Sequence, residues 1–171
     1  MELKERNVAS TYTPIATTTL GSAVNSVTFS SIPSTYTDLV LVIQYQSSAN
    51  CVANITFNND TATNYSTTYL SGSGTAAAST RGSNETSIGT VWSGANFNGK
   101  LGQIIVQVQN YSNTTTYKTI FFSFMFAGEM NQLWTGLWRN TAAINTITIT
   151  GSGGATFAAN SMFTLYGIQA A

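Results

Sequence analysis

Histidine is absent from this 171-residue chain, cysteine occurs once, and charged residues make up only 7% of it. Each shortage removes a class of chemistry. Without histidine, and with Cys51 alone, a tetrahedral zinc site has no ligand set and no intrachain disulfide can form. The same lack leaves the abundant Ser and Thr hydroxyls with no imidazole to activate them, and Lys4, Lys100 and Lys118 stand in no Ser-Lys signature. Six basic and six acidic residues cancel. A basic face for nucleic acid and a polybasic membrane patch are therefore not expected. No apolar run approaches the ~20 residues of a membrane-spanning helix. The opening MELKERN has no apolar core of a secretory signal, so export by a standard secretion route is not expected and synthesis in the cytoplasm is.

What is present is a chain of ordinary apolar content, 43%, set among Ser, Thr, Asn and Gly. Such content, at this length, suits one domain with a substantial core. The hydrophobic pattern has period two. Ile104 to Gln109 alternates, with Val106 and Val108 inward and Gln107 and Gln109 outward. Ile120, Phe122, Phe124 and Phe126 line one face of another strand, and Ile147 and Ile149 alternate with threonines. Leu39 to Tyr45 is apolar on both faces at first, as a central strand is, and Met162 to Ile168 closes the series. Weaker runs at 13–20, 26–32, 52–57, 65–70, 87–92 and 133–138 bring the total to ten or eleven strands. Turn chemistry separates them at Asn58-Asn59-Asp60, Gly72-Ser73-Gly74, Ser93-Gly94 and Gly151 to Gly154. Ser71 to Asn84, poor in hydrophobes, reads as a long exposed loop. No helix is expected. The predicted architecture is an antiparallel β-sandwich of about ten strands with jelly-roll-like connections, covering residues 11–171.

Residues 1–10 differ from the remainder: Glu2, Lys4, Glu5 and Arg6 hold four of the twelve charges. With Leu3 among them, they are read as an assembly arm that docks on a neighbouring subunit. A neutral, charge-poor surface gives copies little mutual repulsion, so burial of much of it in an oligomer or larger assembly is also expected.

Catalytic candidates are few. Outside the arm the carboxylates are Asp38, Asp60, Glu85 and Glu129. Paired-carboxylate chemistry needs two of them to converge, and their settings favour turn-capping for Asp60 and Asp38 and an ion pair with Arg139 for Glu129. Calcium on Asn58, Asn59 and Asp60 would rest on a single carboxylate, a weak site. Cys51 reads as a buried, inert thiol. No catalytic, cofactor-binding or metal-binding residue is assigned. Six Asn-x-Ser/Thr triplets, at Asn54, Asn59, Asn64, Asn84, Asn110 and Asn113, are expected by chance in so hydroxyl-rich a chain. Trp92, Trp134, Trp138, Tyr65, Tyr69 and Tyr111 remain as candidates either for a stacking platform under sugar rings or for a core or subunit interface. The even spacing of Trp134, Gly136 and Trp138 favours the second role.

Several phrases together carry a resemblance: TYTPIATTTL (11–20), VTFSSIPSTYTDLVLV (27–42), FNNDTATNYS (57–66), GLWRNTAAINTITI (136–149) and FTLYGI (163–168). They resemble a family of tailed-bacteriophage virion proteins, found alone or as a terminal domain of tail-fibre-like proteins, from about Thr11 onward. The resemblance implies a jelly-roll-like module on a phage particle and marks no active site. It implies either a capsid decoration (cement) protein, a homotrimer bridging subunits of the major capsid protein, or a fibre-tip module that recognises host surface glycans. A short arm in place of a fibre anchor domain favours decoration.

Overall fold

The computed structural model describes residues 11–47, 53–89, 100–126, 128 and 130–169. The arm residues Glu2, Leu3, Lys4, Glu5 and Arg6, and also Cys51, Trp92 and Glu129, lie outside them. Eleven strands run in order: β1 (Tyr12–Thr19), β2 (Ser26–Phe29), β3 (Asp38–Gln46), β4 (Ala53–Phe57), β5 (Tyr65–Gly72), β6 (Ala77–Glu85), β7 (Leu101–Val108), β8 (Lys118–Phe126), β9 (Met130–Trp138), β10 (Ile147–Gly151) and β11 (Met162–Ile168). A single 3-10 turn, Ser152–Gly154, is the only helical element among the described residues.

Pairing is antiparallel throughout and forms two sheets, β1-β11-β3-β7-β8-β9-β5-β6 and β2-β10-β4. The chain is an all-β sandwich. Successive strands β1 to β4 switch sheets at each step, and β10 and β11 insert between β2 and β4 and between β1 and β3. This is jelly-roll connectivity, with the larger sheet extended by β8, β9, β5 and β6.

Period-two patterning puts the core where the sequence placed it. Leu39, Leu41, Ile43 and Tyr45 of β3, Ile104, Val106 and Val108 of β7, and Ile120, Phe122, Phe124 and Phe126 of β8 are all buried. They face Val27 and Phe29 of β2, Ile55 and Phe57 of β4, and Ile147 and Ile149 of β10 across the sandwich. The turn after β4 follows its sequence signal. Asn58 (φ 51°) and Asn59 (φ 57°) are both left-handed, and the Asp60 N–H donates to the Phe57 carbonyl at 2.9 Å, closing a two-residue turn.

Two expectations need correcting. Ser71 to Asn84 is no loop: β5 continues to Gly72, and β6 returns beside it from Ala77 to Glu85. Between them the Ser73 N–H donates to the Ala76 carbonyl at 3.0 Å, and the Ala76 N–H donates to Ser73 Oγ at 3.2 Å. An edge strand exposed on both sides draws its stability from the ladder to β5, so it carries no hydrophobic alternation to read. Ser87 to Gly89, read as the start of a strand, makes one isolated bridge, Ile55 to Ile88.

Gly167 shows how tightly the sandwich closes. A Cβ there would lie 2.3 Å from Tyr36 Cγ and 2.4 Å from both Cδ atoms. Those atoms form the base of the ring and cannot swing clear. Gly167→Ala is expected to cost about 1–3 kcal/mol by overpacking, measured as a lower urea midpoint with unchanged slope; an unaltered midpoint would show that the ring does not cover this residue.

Candidate functional site

The aromatic candidates among the described residues occupy the interior. Trp134, Trp138, Tyr65 and Tyr111 are each no more than 1% exposed. Trp134 is held between Tyr69 (centroids 4.1 Å, 25°) and Phe122 (5.1 Å, 15°), a three-ring stack on the inner face of β5, β9 and β8. The Trp134 indole N–H donates to Gln132 Oε1 at 3.0 Å. Trp138 packs on Phe57 and Tyr65, and the Tyr111 hydroxyl donates to the Pro33 carbonyl while accepting from the Tyr36 N–H. As a stacking platform for sugars Trp134, Trp138, Tyr65, Tyr69 and Tyr111 are corrected: rings filling a core present no face to a ligand, and of these five only Tyr69 is partly open, while Trp92 lies outside the described residues. Their role as core residues, favoured by the even spacing of Trp134, Gly136 and Trp138, is what the structure displays.

Charged and polar groups are committed to holding turns. Asp60 Oδ1 accepts from the Ala62 N–H (2.9 Å), and Oδ2 from Asn64 Nδ2 (2.9 Å) and Trp138 Nε1 (2.7 Å). Burial works to raise the Asp60 carboxyl, but hydrogen bonds from Asn64, Trp138, the Ala62 N–H and Asn140 outweigh it and hold the group below its ordinary value. The Tyr65 hydroxyl donates to the Asp60 carbonyl (2.9 Å) and accepts from the Phe57 N–H (3.1 Å); burial pushes its pKa up to about 12. Asn58 Oδ1 accepts from the Asn145 and Thr146 N–H groups, so neither Asn58 nor Asp60 offers an uncommitted oxygen set to calcium. Asp38 accepts from the Asn110 N–H (2.7 Å), and Glu85 from the Thr67 hydroxyl (2.7 Å). Arg139, expected to pair with Glu129, donates to Ser66 Oγ, to the Thr63 carbonyl (2.6 Å) and to Asn84 Oδ1 (3.0 Å). Among the described residues no three metal-ligating side chains cluster.

One buried cation escaped the sequence reading. Lys118 is 1% exposed, with its ammonium donating to the Thr116 (2.9 Å) and Thr141 (3.1 Å) carbonyls, and burial lowers its pKa. Its even number, shared with Ile120 and Phe122 on the same strand, was the signal.

The surface that stands apart is the outer face of the eight-stranded sheet. Register aligns Leu70 with Leu133, Leu133 with Ser123, Ser123 with Ile105, and Ile105 with Val42. Phe121 and Met125 flank Ser123 on the same strand and the same face. Of these, Leu70 is 60% exposed, Leu133 51% and Phe121 41%, and Leu101 (62%) and Met162 (37%) lie on the same face. Beside this stripe a shallow groove is lined by Ser66, Thr68, Arg81, Ser83, Thr119 and Thr135. The other sheet differs: its outer face is a ladder in which Thr28, Thr148 and Thr56 stand side by side, the Thr28 and Thr148 hydroxyls 3.1 Å apart. The outer face of the larger sheet thus carries an apolar stripe among polar residues, while the outer face of the smaller sheet is a threonine ladder.

Comparison with known proteins finds no family model, no curated protein and no solved structure that matches this chain.

Proposed function

We propose that this chain is a bacteriophage virion structural protein, a non-enzymatic capsid decoration protein that stabilises the head by bridging capsid subunits. The observation that carries the reading is the pairing of a charge-poor sandwich with an exposed apolar stripe on its outer face, while the carboxylates and the buried lysine of the described residues are spent on hydrogen bonds within the fold. Such a body offers contact area and no assembled reactive centre. Contacts of this kind, repeated by symmetry, gain through avidity. The phrases that resemble tailed-phage virion proteins supply the particle; the major capsid protein is the partner and a homotrimer the expected unit, with residues 1–10 reaching the shell or a sister subunit.

A second reading, a tail-tip module recognising host surface glycans, draws on the groove of hydroxyls around Arg81 beside the exposed Phe121 ring. Copy number separates the two. Gel densitometry of purified particles is expected to give hundreds of copies per head. A few dozen or fewer assign the chain to the tail, and none removes it from the particle.

A further inference from the structure

Register lays out the groove around Arg81 in two rows across β6, β5, β9 and β8. Arg81, Thr68 and Thr135 stand in one, and Ser83, Ser66, Leu137 and Thr119 in the next. All are on the outer face, because Gly82, Thr67 and Gly136, which alternate with them, belong to the inner one. The groove measures about 510 Å³, a size at which proteins hold small organic ligands.

Its floor is made of hydroxyls. Those of Thr68, Ser83 and Thr119 make no hydrogen bond among the described residues, and that of Thr135 reaches the Thr68 carbonyl only at 3.4 Å. Each hydroxyl both donates and accepts, so the row matches a ligand that itself carries many hydroxyls. Spread over strands ~4.8 Å apart, these groups lie too far from one another to converge on a small inorganic anion.

Charge narrows the ligand further. Arg81 is exposed and makes no hydrogen bond or ion pair among the described residues. Arg139 stands at the margin of the groove, where it donates to Ser66 Oγ, and its other acceptors, the Thr63 carbonyl and Asn84 Oδ1, are neutral as well. The carboxylates of the described residues are spent elsewhere. Glu85 lies across the sheet with Thr67, Asp60 accepts from Ala62, Asn64 and Trp138, and Asp38 is on β3. Two guanidiniums without a counterion therefore flank the hydroxyls, and a guanidinium meets a carboxylate through two parallel N–H bonds. A nucleic acid fits less well, since two cations release few counterions and the chain has no net positive charge.

We infer that the groove binds an acidic saccharide, with its carboxylate on Arg81 and its ring hydroxyls on Thr68, Ser83 and Thr119. In taking the groove for a saccharide site the inference rests on the glycan reading above, whatever the place of the chain on a particle. Leu70 and Leu133 lie nearer the turn that joins β5 to β6, and the groove nearer the other end of these strands, so stripe and groove occupy different parts of the face.

The experiment applies the full chain to a glycan array that carries sialylated and uronate-containing saccharides beside their neutral counterparts, with oligothymidylate as a polyanion that is no saccharide. The tightest acidic binder is then titrated calorimetrically against the parent, Arg81→Gln, Arg81→Lys and, on the opposite sheet, Thr28→Val. Arg81 and Thr28 are exposed, and thermal unfolding curves report that each variant folds. Acidic saccharides are expected to bind more tightly than their neutral counterparts, and less tightly as salt rises. R81Q should weaken the acidic binder about 10- to 100-fold through loss of a charge-assisted pair, R81K should fall between, and T28V should match the parent. Neutral counterparts bound as tightly as the acidic ones, or an R81Q variant that binds like the parent, overturn the inference and leave the glycan reading standing. Binding of no saccharide, preference for oligothymidylate, or loss of binding in T28V overturns both.

Discussion

Trp138→Ala lowers the thermal midpoint by about 10–15 °C, the largest effect expected of any single substitution in the sandwich. Two losses add. The indole is fully buried against Phe57 and Tyr65, and truncating a buried tryptophan costs about 3–5 kcal/mol in transfer and cavity terms. Its N–H also leaves Asp60 Oδ2, an oxygen that keeps the bond from Asn64. For a chain of this size each kcal/mol corresponds to about 2–4 °C. Trp138→Phe separates the contributions by keeping an aromatic ring and deleting the donor, and should lose about a third of the stability that Ala does. Circular dichroism melts of the three proteins decide it; an Ala variant within 3 °C of the parent, a limit of roughly 1 kcal/mol, would mean that the ring is not a core element.

Asp60→Ala is the second large effect, at about 2–3 kcal/mol, because it strands the buried Trp138 N–H as well as removing the acceptor of Asn64 and the Ala62 N–H. The sign of its pH dependence follows from the depressed carboxyl. Asp60 is held below its ordinary 3.8, so the unfolded chain binds the proton more readily, and the stability this group contributes is present above pH 3.8 and lost as pH falls through the folded value. Asp60→Ala should therefore flatten the acid limb of the stability curve while lowering its plateau. Combining it with W138F should cost less than the sum of the two, since both break one hydrogen bond. A strictly additive pair, or an acid limb as steep as the parent's, would show that the Asp60–Trp138 bond does not form in solution.

The strands that build the core could be read because a buried strand has a period that apolar residues record. Phe122, Phe124 and Phe126 are the clearest instance, and the Asn58-Asn59-Asp60 turn is another, since two consecutive left-handed residues call for asparagine. What escaped reading has a physical reason in each case. β6 is held by the ladder to β5 and needs no hydrophobic side, so AASTRGSNE looks like loop. Lys118 ends in the interior because two loop carbonyls meet its ammonium there, and one of them belongs to Thr141, 23 residues further along the chain. The outer stripe was present as apolar residues of both parities, as in Phe121 beside Phe122 and Leu133 beside Trp134. Which parity faces water depends on where the second sheet lies, and that follows from pairing across the whole chain. Thus Trp134 and Trp138, conspicuous in sequence, fill the core, while the less conspicuous Leu70 and Leu133 make the exposed face.

The most direct measurement of the central claim is electron cryomicroscopy of an intact particle at a resolution that traces this chain. The account predicts the sandwich seated on the head surface in many symmetric copies, with Leu70, Phe121 and Leu133 covered by a neighbouring subunit of the particle and the threonine ladder of β2-β10-β4 turned elsewhere. Particles without this chain, or copies whose eight-stranded sheets face open solvent, would contradict it.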